Sequence, residues 1–316
     1  MTVFGFGKDK PEAPAVIQRR ADVEPQLFDT KAFYGMFTRR MAKVKDIKLR
    51  YVTGGAGEPL VLLHGWPTTW FEWWRVMPTL AEQYTVIAPD LRGFGDSERT
   101  PTGFDKATFA DDIYQLVRGL GYERVRFIAH DWGVSTAFLI AQDHPEFVQK
   151  LVVMDHKIPG LHFEGEENFD TMEAGLWQLG FLGAPDVPET LFAGREREFY
   201  EFCLRAWAYQ QGALDSETVG ELLRTYSLPS TTRTSAGLCR ALGIDNQHFD
   251  KYNGRKLKMP VYAMMGRESI TKDYVHRQIG PLADDYRAAI FEETGHFVAL
   301  ELPREFLAEV LPFLNG

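Results

Sequence analysis

A carboxylate stands where an apolar strand hands over to a helix. In FIAHDWGVSTA the apolar run ends at His130, Asp131 follows, and helical spacing begins at Trp132. Ala129 and Gly133, two positions either side, are small enough for the tight turn that lifts one side chain above a sheet. With an ordinary pKa of about 3.9, an aspartate is already anionic at neutral pH and attacks without a base. That suits displacement at an alkyl carbon. The product is an ester of Asp131, which water must then cleave. The competing reading is an N-cap, a role that Asp also fills well.

Ester cleavage needs a general base, and His296 in EETGHFVALELP follows the last apolar run directly. A lone histidine is more often structural, but its place and the preceding Gly295 favour chemistry. An acid must then hold its ring and stabilise the imidazolium. Asp155, closing KLVVMDH, and Glu268, in MMGRES, are the two candidates. Asp155 is favoured because it ends an apolar strand; position 269, where Gly-X-X-Asp spacing would put an acid, is Ser. LLHGWP offers the backbone N–H of Trp66, which with that of Trp132 can cradle an oxyanion. Each such donor is worth about 3 kcal/mol to a transition state. Read blandly, HGWP is a loop of turn residues. Substrate contacts are expected from His64, Trp177, Gln178 and Tyr209, in a pocket that is apolar and partly aromatic. Trp207 is a further wall candidate, although cap tryptophans could equally be core.

These residues need a scaffold. PLVLLH (59–64), YTVIAPD (84–90), RVRFIAH (124–130), KLVVMDH (150–156) and PVYAMMG (260–266) read as buried strands, with RAAIFEE (287–293) a weaker last one. VKDIKLRYVTGG alternates and suggests an antiparallel pair at one edge. Helical stretches lie between them, such as WFEWWRVMPTLAEQ, ATFADDIYQLVRGLG and VSTAFLIAQDHP, and PREFLAEVLPFLNG ends the chain. The alternation gives the α/β class: a mostly parallel, eight-stranded sheet flanked by helices. The rhythm breaks between 160 and 250, where TMEAGLWQLGFL, REREFYEFCLRAWAY and SETVGELLRTY have helical periodicity. An all-helical cap over 160–250 is expected across the carboxyl ends of the strands, where open α/β sheets bind ligands. The core would then be 41–159 with 251–316, preceded by an arm over 1–40. DLRGFGDSE (90–98) is assigned turn and packing roles.

The chain has 316 residues, 45% of them hydrophobic, enough for a large core. A net charge of −9 argues against a nucleic-acid partner. No apolar run approaches the roughly 20 residues of a membrane span. Lys8, Lys10, Pro11 and Glu12 interrupt the N-terminus before any signal-like apolar stretch, and only Cys203 and Cys239 occur. A reduced, cytoplasmic setting is therefore expected. Metal-ligand spacing and nucleotide-binding glycine motifs are not found, so no cofactor and no metal are expected. The expected partner is a small hydrophobic electrophile; a homodimer is left open.

Taken together, HGWPTTW, DLRGFGDSE, AHDWG, VVMDH and TGH resemble the α/β-hydrolase superfamily, from about residue 40 onwards. More narrowly they are similar to its Asp-nucleophile branch of epoxide hydrolases and haloalkane or haloacid dehalogenases. WPTTWFEW, MDHKIP and PETLFAG look most like Cif-type epoxide hydrolases, whose acid follows the sixth strand, as Asp155 does. The resemblance implies epoxide opening to a vicinal diol. GLCRAL has Leu238 and Cys239 where that group carries a cap tyrosine, and Gln178 stands where it has histidine. Tyr200, Tyr209 and Tyr226 are present in the cap, but no motif assigns them the task. Trp132 matches the halide-binding tryptophan of haloalkane dehalogenases; fluoroacetate dehalogenases carry Arg there. A dehalogenase is thus the second reading. A non-catalytic binding protein is the third, and it has no need of the set Asp131, Asp155 and His296.

Overall fold

The computed structural model describes residues 12–19, 28–163, 176–271 and 273–316, apart from the side chain of Pro229. The strands are β1 (Ala15–Ile17), β2 (Phe37–Val44), β3 (Ile47–Gly54), β4 (Glu58–Leu63), β5 (Tyr84–Pro89), β6 (Val125–His130), β7 (Val148–Met154), β8 (Val261–Gly266) and β9 (Tyr286–Phe291). They form one sheet in the order β1-β9-β8-β7-β6-β4-β5-β3-β2. β2 and β3 pair antiparallel, β3 runs antiparallel to β5, and every other pairing is parallel. Leu60 to Leu63 of β4, and Phe127 to Ala129 of β6, have no solvent exposure. Such continuous apolar runs mark strands covered on both faces.

The expected eight strands become nine. The additional one, β1, lies in the segment read as an arm and pairs with β9 through Ala15, Val16 and Ile17. Three residues after Pro14 are too few to show a strand period. The weak candidate RAAIFEE is a true strand, β9, and it is the partner that gives β1 an edge to join.

The helices before the break are α1 (Thr30–Met36), α2 (Met77–Ala81), α3 (Lys106–Gly119) and α4 (Trp132–Asp143). Between β7 and β8 come α5 (Trp177–Gly183), α6 (Val187–Leu191), α7 (Glu196–Trp207), α8 (Ser216–Leu222), α9 (Pro229–Arg240) and α10 (Leu242–Asp250). The remaining helices are α11 (Tyr274–Ile279), α12 (Val298–Glu301) and α13 (Pro303–Asn315). The first residues of TMEAGLWQLGFL lie outside the described ones; its helix is described from Trp177. α9 was not legible in sequence, because PSTTRTSAGLCR is rich in residues of poor helix propensity. Burial of Thr231, Thr232, Thr234 and Ser235 shows that tertiary packing holds it. WFEWWRVMPTLAEQ, read as one helix, divides into a 3-10 turn over Trp70–Trp73 and the short α2, whose start carries a proline.

A buried ion pair ties the insertion to the core. Lys106, the first residue of α3, places Nζ 2.8 Å from Asp245 Oδ2 on α10, and both side chains are essentially unexposed. The same ammonium donates to the carbonyls of Phe104 and Leu238 and lies 4.3 Å from the Trp132 ring centroid.

Candidate active site

β6 ends at His130, and Asp131 takes φ 47° and ψ −126° before α4 begins. Positive φ on a non-glycine residue is strained, and here the surroundings enforce it. The Asp131 N–H donates to Met154 O at 3.1 Å, and its carbonyl accepts from Val134 N at 2.8 Å. A Cβ on Gly133 would meet Leu63 O at 2.5 Å, and one on Gly65 would meet Asp131 Cβ at 2.3 Å. Glycine is thus required at both places by close approach. The side chain of Asp131 makes no capping bond to α4. It turns away from the helix, so the N-cap reading does not describe it.

Asp131 Oδ1 accepts from the backbone N–H of Trp66 at 2.9 Å. Its Oδ2 stands 3.6 Å from Nε2 of His296 and 3.6 Å from Nδ1 of His156. Burial works to raise the Asp131 pKa, but the two imidazoles hold it well below the usual carboxylate range. The carboxyl group is an anion with one oxygen on an amide and the other facing two rings. The N–H of Trp132, first in α4, is free of the helix ladder; the amide bonded to the carboxylate is that of Trp66.

His296 is fully buried after β9, its N–H bonded to Trp207 O at 2.9 Å. Glu301 brackets it: Oε2 accepts from Gly295 N at 3.0 Å and Oε1 from Phe297 N at 3.0 Å. Oε2 also takes the amides of Tyr209 and Gln210, at 2.9 and 2.7 Å. One buried carboxylate therefore joins the histidine loop to the end of α7. Burial pushes the His296 pKa down to about 4, and His130, with ring centroids 4.5 Å apart, adds to the effect.

Of the two candidate acids, Glu268 is exposed. Asp155 is fully buried at the end of β7, with φ 40°. Its carboxyl group accepts from Gly266 N at 3.1 Å and from Thr271 Oγ1 at 3.4 Å. Burial pushes its pKa well above the usual range. Nδ1 of His296 lies 3.4 Å from Ser269 Oγ, which is 3.2 Å from Thr271 Oγ1 and also within reach of Asp155. Ser269, at the position where an acid would fit the spacing, is the side chain at Nδ1, with the Asp155 carboxyl behind it.

A cavity of about 200 Å³ opens over Asp131. Trp66, Trp132, Trp207 and Gln178 are on its wall, with Leu238 and Cys239. Gln178 is buried on this wall, and among the described residues its Oε1 has no partner. Three expected substrate contacts lie elsewhere. His64 donates and accepts entirely within the backbone: Nδ1 is 2.8 Å from Gly65 O, and Nε2 accepts from Leu91 N at 3.0 Å. It staples the HGWP loop to the segment after β5. Tyr209 is half exposed and off the cavity, and Trp177 packs edge-on against Phe199. Glu72 and His156 belong to the site without any motif that marks them. Glu72 Oε1 is 2.8 Å from His130 Nδ1, while its Oε2 accepts from Thr68 Oγ1 and Gly65 N. Burial opposes a charged His130, yet Glu72 raises its pKa to about 9. The only signal for either was adjacency, Glu72 to the HGWP loop and His156 to Asp155. Among the described residues no group of three or more His, Cys, Asp or Glu is placed to hold a metal ion, and no helix is long and apolar enough to cross a membrane.

Residues 58–302 match the alpha/beta hydrolase fold family. The chain is an α/β hydrolase. It is 37% identical over 280 residues to the soluble epoxide hydrolase of Corynebacterium sp. (strain C12), covering 87% of this chain and 96% of that protein. It is 32% identical over 290 residues to a fluoroacetate dehalogenase of Burkholderia sp, covering 86% and 94%. Among solved structures, epoxide hydrolase CorEH without ligand superposes with a TM-score of 0.81 at 37% identity, covering 88% of the hydrolase and 99% of that chain. Of these two relatives, the epoxide hydrolase is the more similar.

Proposed function

We propose that this hydrolase opens small apolar epoxides to vicinal diols through an ester on Asp131, with the helices α5–α10 as a cap over the site. The carrying observation is the divided carboxylate: Oδ1 on the Trp66 amide, Oδ2 open to the cavity beside His296. Oδ2 attacks a ring carbon, and the C–O bond breaks. His296 then takes a proton from water as it attacks the carboxyl carbon, and the Trp66 amide, joined by that of Trp132, receives the oxyanion. Asp155, acting through Ser269, holds the ring of His296. Similarity to the soluble epoxide hydrolase supports the substrate class.

A dehalogenase is the second reading, favoured by the fluoroacetate dehalogenase similarity and by Trp132 on the cavity wall. His296→Gln separates the two. It is expected to stall at the ester, so that intact mass gains the whole epoxide, or the alkyl halide less HX. A gain from the halide alone overturns the epoxide reading; no gain from either overturns both.

The pH dependence of the second step follows from His296. A base acts when neutral, and burial has brought its pKa to about 4. Esterification removes the Asp131 charge that opposes this shift, so the pKa does not climb in the intermediate. Ester hydrolysis in single-turnover runs is expected to rise from acid through about pH 4 and then level off. A rise centred near 6.5 contradicts the geometry.

A further inference from the structure

The proposed reaction leaves one task without an owner, the proton for the opening oxygen. The two fully buried tyrosine hydroxyls described in the insertion are otherwise engaged. Tyr200 donates to Ser235 Oγ at 3.1 Å, and Tyr226 donates to Thr68 O at 3.0 Å. Cys239 is on the wall, but burial pushes its thiol up to about 12, a poor acid. An amide such as Gln178 can donate a hydrogen bond but does not give up a proton.

His156, the residue after Asp155, is buried and shares the cavity wall with Asp131 and Trp132. Its Nδ1 is 3.6 Å from Asp131 Oδ2, and its Nε2 is 2.8 Å from Ser135 Oγ, on α4 beyond the elbow. The Trp132 indole stands edge-on to the ring at 5.1 Å and fixes its plane. A carboxylate only accepts hydrogen bonds, so Nδ1–H faces Asp131, and in the imidazolium Nε2–H donates to the Ser135 hydroxyl oxygen. The ring is aimed by two contacts on opposite sides, with its N–H beside the attacking oxygen.

Resting on the ester reading of Asp131, we propose that His156 is the acid that protonates the leaving oxygen, acting from the end of β7 and not from the cap. Oδ2 bonds to the ring carbon as the C–O bond breaks and leaves its electron pair on oxygen. That oxygen takes the proton from Nδ1 of the His156 imidazolium. Carboxylate and imidazolium become a neutral ester, a neutral imidazole and a hydroxyl. Hydrolysis frees Asp131 as the acid, and its proton returns to Nδ1. Burial lowers the His156 pKa and Asp131 opposes the shift, while Lys106 and His130 add to it. Esterification cancels the opposing charge, so the acid strengthens as the oxygen needs its proton.

The test uses the His296→Gln protein, in which the ester accumulates, and times its appearance by intact mass. Adding His156→Ala is expected to slow ester formation from an epoxide by about 10²- to 10³-fold. With an alkyl bromide, whose leaving anion takes no proton, only the loss of the contact to Asp131 Oδ2 is felt, and the slowing is expected to be at least about tenfold smaller than on the epoxide. His156→Asn, which keeps an N–H of similar reach but cannot release a proton, is expected to show the same split and serves if the alanine protein does not fold. Equal rates on the epoxide with and without His156 overturn the assignment, as does equal slowing on both substrates, which marks a structural role. If His296→Gln alone takes up no epoxide, the ester reading falls and takes this assignment with it.

Discussion

Asp131→Asn is expected to lower turnover by at least about 10⁴-fold, the scale seen when a nucleophilic site loses its key group. The change removes one charge and almost no volume. The amide oxygen can keep the Trp66 N–H bond now made by Oδ1. Asn tolerates positive φ better than most residues, so the elbow at φ 47° is preserved. Thermal unfolding should therefore stay close to that of the parent, which separates lost chemistry from lost fold. The carboxylate is held ionised in a buried place by His156 and His296, and under the proposed mechanism its loss leaves no ester to form or cleave. Activity within tenfold of the parent, in protein shown by intact mass to be free of reversion to Asp, would sink the nucleophile assignment.

Lys106→Met is expected to destabilise the protein by about 3–5 kcal/mol, because it leaves the Asp245 carboxylate buried with no counter-charge. The ammonium also serves the carbonyls of Phe104 and Leu238 and the face of Trp132, so the loss spans α3, α9 and the elbow. Taking Asp245 to Leu in the same protein is expected to recover at least half. Apolar pairs often replace buried ion pairs at no cost, whereas a single buried charge is expensive. Urea unfolding of the two single variants and the double one gives the coupling. A shift under about 1 kcal/mol for Lys106→Met would show that the pair is not sealed from solvent. Because the pair joins α3 to α10, the variant also reports how far the insertion depends on the core for its seat.

Local pattern placed much of this. FIAHDWG carries its own turn: an apolar strand run, then small residues around one acid, and the structure lifts Asp131 there as the pattern implies. HGWP likewise puts the Trp66 amide against it, and the loop after β9 brings His296 within 3.6 Å. The sequence could not say which side chains on those loops face the cavity. His64 sits two positions before Trp66, yet both its nitrogens are spent on backbone groups. Tyr209 follows the cavity residue Trp207 by two and points outward. β1 was invisible because its strand character comes from β9, not from its three residues.

The amino-acid sequence by itself determined the class of the protein, the sheet-forming runs, the elbow and the places of Asp131, Asp155 and His296 at or after strand ends. These rest on spacing within a dozen residues, where sterics and hydrophobic period act directly. The tertiary structure alone decided that Ser269 stands between Asp155 and His296, that Glu72 lies 2.8 Å from His130, and that His156 faces Asp131 Oδ2. Those contacts join residues from 25 to over 100 positions apart. They exist because the sheet order sets the carboxyl ends of β6, β7, β8 and β9 side by side or nearly so, a juxtaposition that long-range packing creates and no local pattern records.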